Sequence, residues 1–334
     1  MADLVYIDFP IPKIKLNICY KRDDILDAIK KESLDRTLPK VMEVYGELLF
    51  PKALDNRPYI FCSVVLSADG KMAYTDNQAG PVISRNNYLD PDGALADYWV
   101  LNVLRSYADG VIIGARTLQK EPDASSHVYD KELVEQRVGV LGKSKFPWSI
   151  IASFDATDIP FDHLAFDNAS EEYKVVIATS PDGLECIKRE FNKPYIIIGP
   201  FSEVGEINIE SVRADLENNL DKIPVIITGK GSSPDSAVLL WLLRKLGLER
   251  LLIESPSYNW HLMANNSLDE FFINYSMVYA GGSITPGTAM PFSHETHPHA
   301  ELLTLGTHQS NFIFTRQKIY YGVSKTVDLG KYKY

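Results

Sequence analysis

Four short stretches of this chain gather small residues, hydroxyls and isolated charges: Ser67–Lys71 (SADGK), Gly114–Asp123 (GARTLQKEPD), Thr228–Asp235 (TGKGSSPD) and Glu254–Asn259 (ESPSYN). The last three each follow a short apolar run. Free backbone N–H groups and the positive end of a helix at such a place favour a phosphate. Arg116 and Lys230 add positive charge to two of the loops. Glu254 ends a run of apolar residues, where an acid rarely serves packing alone. Taken singly, each stretch has an ordinary explanation. Asp69-Gly70 is a common turn pair, and the third stretch also reads as a glycine-rich turn into a capped helix. The chain has no GxGxxG and no GxxxxGK[ST], so the usual dinucleotide fingerprint and the P-loop are both excluded. The order of the four loops carries more information than any one of them.

The elements that position these loops alternate. Tyr59–Ser67, Gly110–Gly114 and the runs WSIIAS, KVVIATS, YIIIG, IPVIITG and RLLIES are apolar, rich in β-branched residues and of strand length. They are too continuous for half-exposed strands, so they predict a central sheet covered on both faces. Helical spacing marks Asp92–Tyr107 between two of them. Ser180 and Ser233, each followed by proline, predict two further helix starts, and Gly247 predicts a stop. Strands alternating with helices indicate an α/β layered domain, with ligands at the carboxyl ends of the strands. The C-terminal runs have short connections, which predicts antiparallel strands closing one edge. Residues 1–57 differ in texture. Ile25, Leu26 and Ile29 lie at helical spacing among charges, with Leu34 extending the stripe, so this stretch is expected to be a helical extension on the main body.

Composition bounds the function. The chain has 334 residues, 45% hydrophobic and 23% charged, as in ordinary soluble domains. A formal net charge of −10 argues against general nucleic-acid binding. Cys19, Cys62 and Cys186 are odd in number and far apart, so neither a disulfide framework nor a zinc site is expected. His294, His297 and His299 lie close together with no cysteine nearby, and no metal is expected there. The first residues make a poor signal peptide and no apolar run is long enough to cross a bilayer, so a cytoplasmic protein with no membrane partner is expected.

SADGKMA, VIS, VLRSYADGVIIGARTL, EPD, LLIESPSYN, SLDEFFINYS and AGG recur in the order of a known pattern. In these motifs, over about residues 58–282, the chain resembles the reductase domain of bacterial riboflavin biosynthesis, a family similar in fold to dihydrofolate reductase. The resemblance implies a three-layer α/β fold with a central mixed, mostly parallel sheet, residues 58–334 forming an NADPH-dependent domain after the extension 1–57. It implies reduction of 5-amino-6-(5-phosphoribosylamino)uracil to its ribitylamino form by hydride transfer. The deaminase domain often fused in front should bring a His-x-Glu zinc signature, and this sequence contains none.

Residue by residue, the resemblance implies that Val82, Gly114, Ala115, Arg116, Thr117, Gly229, Ser255, Pro256 and Ser257 contact the cofactor, with Arg116 reaching a phosphate of NADPH. Ser84, Arg105, Lys71 and Glu254 would hold the substrate, and Asp69, Lys71 and Glu254 would form the catalytic group, Lys71 assisting proton transfer. Arg105 equally suits a helix C-terminal cation. Isolated members of this fold often pair through the sheet, which implies a homodimer. Three departures stand out. Ser255 and Pro256 replace glycines, Val103 replaces a histidine, and EPDASSHVYD lacks the arginine expected to bind the substrate phosphate, His127 being its only basic residue. These favour a rival: a reductase of another pterin-like or carbonyl substrate, or a non-catalytic ligand-binding member of the fold.

Overall fold

The structure is a computed structural model, and it describes residues 4–287 and 291–323. Among these residues eleven strands form one sheet: β1 (Asn17–Lys21), β2 (Tyr59–Ser67), β3 (Gly110–Gly114), β4 (Trp148–Ala152), β5 (Val175–Thr179), β6 (Tyr195–Phe201), β7 (Ile223–Thr228), β8 (Arg250–Ile253), β9 (Glu270–Ser276), β10 (His299–His308) and β11 (Phe312–Tyr320). Their spatial order is β1-β10-β11-β9-β2-β8-β3-β4-β5-β7-β6. Every pair from β9 to β6 is parallel, and the pairs linking β9, β11, β10 and β1 are antiparallel. The expected mixed sheet, mostly parallel with an antiparallel C-terminal edge, is the one found.

The apolar runs follow from burial on both faces. Successive residues of a strand point to opposite sides. In β2 and β3, Phe61, Val111 and Ile113 enter one core while Ile60, Cys62 and Ile112 enter the other. The helix Pro91–Tyr107 supplies Ala96, Trp99, Val100 and Val103 to the first core, and Ser236–Lys245 supplies Leu239, Leu240, Leu242 and Leu243 to the second. Asp90 caps the first of these helices by accepting the Gly93 amide at 2.8 Å, and Pro91 stands at its first position. At its other end, buried Arg137 donates to the carbonyls of Ser106 at 2.8 Å and Ala108 at 2.5 Å. A cation is favoured at the negative end of a helix. Burial still pulls the Arg137 pKa down to about 10, which leaves it charged at neutral pH.

Two helix boundaries differ from the sequence reading. Ser180 does cap its helix, accepting the Gly183 amide, but Ser233 caps nothing. The helix expected there starts at Ser236, because the Asp235 carboxylate takes the Val238 amide at 3.0 Å. In the first segment, Ile25, Leu26 and Ile29 do pack together with Leu49 and Leu303, whereas Leu34 lies beyond the end of the helix Asp23–Glu32 and is exposed.

The first 57 residues are not purely helical. Asn17–Lys21 is a strand, hydrogen-bonded to β10 at the sheet's edge. Phe9, Ile14, Leu38, Val41, Leu48 and Phe50 belong to the same hydrophobic core as the first face of the sheet. Phe50 stacks on Phe61 with ring centroids 4.6 Å apart, and the Arg316 guanidinium sits 5.1 Å from its centroid. That guanidinium is itself buried, doubly bonded to Glu270 at 2.7 and 2.8 Å and bonded to the Leu49 carbonyl at 2.7 Å. Helical periodicity cannot report a short edge strand whose residues are mostly exposed, which is why β1 escaped it. If the segment is part of the core, Phe50→Ala should lower unfolding stability by about 3–5 kcal/mol, the usual loss for a buried phenylalanine. Urea denaturation followed by tryptophan fluorescence measures this, and a loss below about 1 kcal/mol would reject a core role.

Candidate active-site cleft

A parallel sheet covered on both faces leaves its strand ends as the places where loops can enclose a ligand. Here a cleft of about 1250 Å³ opens at the carboxyl ends of β3, β4, β5, β7 and β8. It exceeds the roughly 300–1,000 Å³ of sites that hold one small ligand. One half is walled by small polar residues at the strand ends, including Gly114, Thr117, Ser153, Thr179, Thr228 and Ser257. The other is walled by the helix Pro91–Tyr107, through Leu95, Asp97, Tyr98, Leu101 and Arg105, with Tyr129 and Ile7.

Two short helices begin at the first half, Ala115–Lys120 after Gly114 and Pro256–Ala264 after Ser255. Neither start carries a side-chain cap, as is also true of the helices that begin at Ile11, Asp23, Pro39 and Val82, whereas Asp90, Asp130, Ser180, Asn208 and Asp235 cap others. The first-turn amides of the two helices at the cleft are therefore left for another acceptor. The two starts are in close approach, because a Cβ added at Gly114 would lie 2.7 Å from the Ser255 hydroxyl. Any Cβ at 114 would have to displace the Ser255 side chain. The Gly114 backbone is in an ordinary extended conformation.

At the junction of the two halves, Arg105 and Glu254 form a fork-to-fork pair. Arg105 Nε and Nη2 each donate to one Glu254 oxygen at 2.6 Å, and Nη1 donates to the His127 carbonyl at 3.0 Å. Both side chains are nearly buried. Burial works against the Arg105 charge, but the facing carboxylate outweighs it and holds its pKa above the ordinary arginine value. Arg105 thus lies in the last turn of its helix with its guanidinium turned to Glu254, while Arg137 is the cation that binds the helix-end carbonyls. His127 is held between the Ser125 hydroxyl at 2.7 Å and the Val5 carbonyl at 2.8 Å, and burial depresses its pKa to about 4. It is neutral at pH 7.

The structure brings Val82, Ser84, Arg105, Gly114, Ala115, Arg116, Thr117, Glu254, Ser255, Pro256 and Ser257 to this one cleft. Arg116 is extended into solvent, 3.9 Å from Asp158. Three expected site residues are elsewhere. Gly229 is a turn residue with φ of +83°, and a Cβ there would strike the Ser233 carbonyl at 2.0 Å. Asp69 and Lys71 do not line the cleft, though Met72 and Ala73 after them do. Asp69 instead pins two loops together: its carboxylate accepts the Ser67 hydroxyl at 2.6 Å and the amides of Ala280 and Gly281 at 3.1 and 2.8 Å. Those bonds, the Ser67 hydroxyl first, hold its pKa down at about 2.

Sequence reasoning missed Asp97. It sits on the buried stripe of its helix, three residues before Val100 and seven before Leu104. An acid on an apolar stripe was the available signal. Ile7 was missed too. It reaches the cleft because the Ile7 amide donates to the Tyr129 carbonyl at 2.8 Å, a long-range contact that local pattern does not encode.

By sequence the chain matches no protein-family model and no curated protein. By structure it is similar to a pyrimidine reductase-like protein of Corynebacterium diphtheriae, with 18% identity and a TM-score of 0.55, over 84% of this chain and 98% of that one. It is also similar to RibD of Acinetobacter baumannii, with 16% identity and a TM-score of 0.51, over 79% of this chain and 58% of that one. The chain thus spans less than two thirds of that RibD. These likenesses establish a shared α/β fold.

Breaking a buried ion pair strands the surviving charge and costs about 3–5 kcal/mol, whereas removing both partners costs far less. Arg105→Met should therefore destabilise the fold by about that amount, and Arg105→Met with Glu254→Gln should recover most of it. Urea unfolding of the two single variants and the double variant measures the coupling, and strictly additive losses would refute it.

Proposed function

We propose that this chain is an NADPH-dependent reductase of the riboflavin-pathway type, which converts 5-amino-6-(5-phosphoribosylamino)uracil to its ribitylamino form. The observation that carries the reading is the meeting of two helix starts without side-chain caps across one cleft, beside the buried Arg105–Glu254 pair. The donor set suits a dinucleotide. Amides of the turns Gly114–Thr117 and Ser255–Ser257, with the hydroxyls of Thr117 and Ser257, would hold its phosphates, and Arg116 would meet the 2′-phosphate. Bound there, the reduced nicotinamide supplies a hydride.

The remaining work belongs to the chain's own residues. The Arg105–Glu254 pair fixes a carboxylate at the junction of the two halves, where it orients a donor group of the acceptor without moving. Leu95, Tyr98, Leu101, Tyr129 and Ile7 exclude water from the acceptor's ring. Aligning two bound reactants in this way is worth several kcal/mol.

A second reading has its own support. Arg105, expected to hold the substrate, is paired with Glu254, and His127, the only basic residue of the stretch that lacks the phosphate-binding arginine, is neutral. That favours an acceptor without a phosphate, a pterin-like or carbonyl compound. We carry the homodimer as a proposal, to be read by light scattering.

Titration by nicotinamide fluorescence should give clearly tighter binding of NADPH than of NADH, and equal or absent binding would reject the cofactor. Gly114→Ala should weaken NADPH about tenfold, or ~1.4 kcal/mol, by displacing Ser255. Oxidation of NADPH with the phosphoribosylamino pyrimidine, run beside an unphosphorylated pterin-like acceptor, separates the two readings.

A further inference from the structure

Hydride transfer to a C=N or C=O bond also needs a proton, and the cleft's carboxyl groups differ in their ability to give one. Both Glu254 oxygens are taken up by guanidinium hydrogen bonds from Arg105. Asp235 is committed to the Val238 amide, Glu121 to the Gly80 amide and Asp158 to the Ser153 hydroxyl, and Asp123 is exposed to solvent. Asp97 is different. Its carboxyl lies in the buried wall of the acceptor half, eight residues before Arg105 on the same helix, roughly 12 Å along the axis. The buried Asn274 amide donates to Oδ1 at 2.8 Å, and no cation pairs with the carboxyl.

We propose that Asp97 delivers the proton taken up by the heteroatom of the hydride acceptor. This rests on the reductase reading above. The acceptor carbon gains a hydrogen with its electron pair from the reduced nicotinamide. The π pair of the C=N or C=O bond closes onto the heteroatom, which takes the Asp97 proton. The nicotinamide leaves oxidised, and the Asp97 carboxylate is reprotonated from water.

The surroundings of Asp97 suit the task. Burial raises its pKa to about 6, and the Asn274 amide and the Ser84 hydroxyl beside it hold it from rising further. Neither of those groups titrates. Charged groups line the same cleft, Arg85, Glu121 and the paired Arg105 and Glu254 among them, and none of them contributes to the Asp97 shift. An acid works best as a proton donor when its pKa lies near the working pH.

Asp97→Asn should lower turnover of NADPH with the phosphoribosylamino pyrimidine about a hundredfold, the ordinary scale for losing a proton-transfer group. NADPH affinity, read by fluorescence, should change less than about twofold, the contact being on the acceptor's side of the cleft. In the wild type, turnover should fall as pH rises through about 6, since the protonated acid is the active form. Asn274→Ser removes a donor that favours the charged carboxylate, so it should move that fall upward by about one pH unit. A merely structural role would lower turnover without moving the pH at which it falls. Infrared spectra of the protein without substrate supply a measurement independent of turnover. A protonated-carboxyl band should disappear as pH rises through about 6 and be missing in Asp97→Asn. If wild type is idle on the pyrimidine while the band is present, the substrate reading fails and the proton assignment stands. Absence of the band, or near-wild-type turnover in Asp97→Asn, overturns the assignment.

Discussion

The parallel half of the sheet has helices on both faces, and that single constraint decides where anything else can happen. Residues in the middle of β3, β4, β5, β7 and β8 are closed off in two cores. Backbone groups at the carboxyl ends, and the helix starts that follow, are the ones left to meet a ligand. The cleft is therefore a product of how the sheet is covered. Its size and its small polar lining follow from the spacing of successive strands and the close turns after them.

Charge is the second organising quantity, and the interior handles it in two ways. Arg105 with Glu254 and Arg316 with Glu270 are nearly buried guanidinium–carboxylate forks. Arg137 is a buried cation held by backbone carbonyls and the Ser144 hydroxyl. The Lys40 ammonium is also paired, with buried Asp130, which accepts the Trp99 indole N–H at 3.0 Å as well. Unpaired, any of these would be costly. Paired, they fix the geometry around them: Arg316 binds the Leu49 carbonyl to the antiparallel part of the sheet, and Arg105 binds the loop of His127 to the cleft.

Much of the framework was legible in the chain itself. Tyr59–Ser67 and Gly110–Gly114 were read to the residue, because a strand buried on both faces writes a continuous apolar run with clear ends. Ser180-Pro181 was read for the same local reason. Asp235 was passed over for Ser233 because both are good caps, and the choice depends on the turn held by Gly229 and Lys230. Asn17–Lys21 was missed since its partner lies almost at the other end of the chain. Within the site, the glycine and serine turns were legible because backbone approach demands small residues. The parts taken by Asp69 and Asp97 were not, since identical carboxyls differ here only in what tertiary structure places around them.

β2 lies at the centre of the sheet, between β8 and β9, although it is made early and they are made late. Until synthesis has passed Ile253 the most apolar early strand has neither neighbour, and one of its edges stays open until Ser276 has been made. Contacts this far apart in sequence are slow to form, and open strand edges invite association with other chains. The cleft has the same schedule, since Glu254 and Ser255 follow β8 directly. Folding yield in the cell should accordingly respond to translation speed and chaperone supply, and the ligand site is among the last parts of the molecule to come into existence.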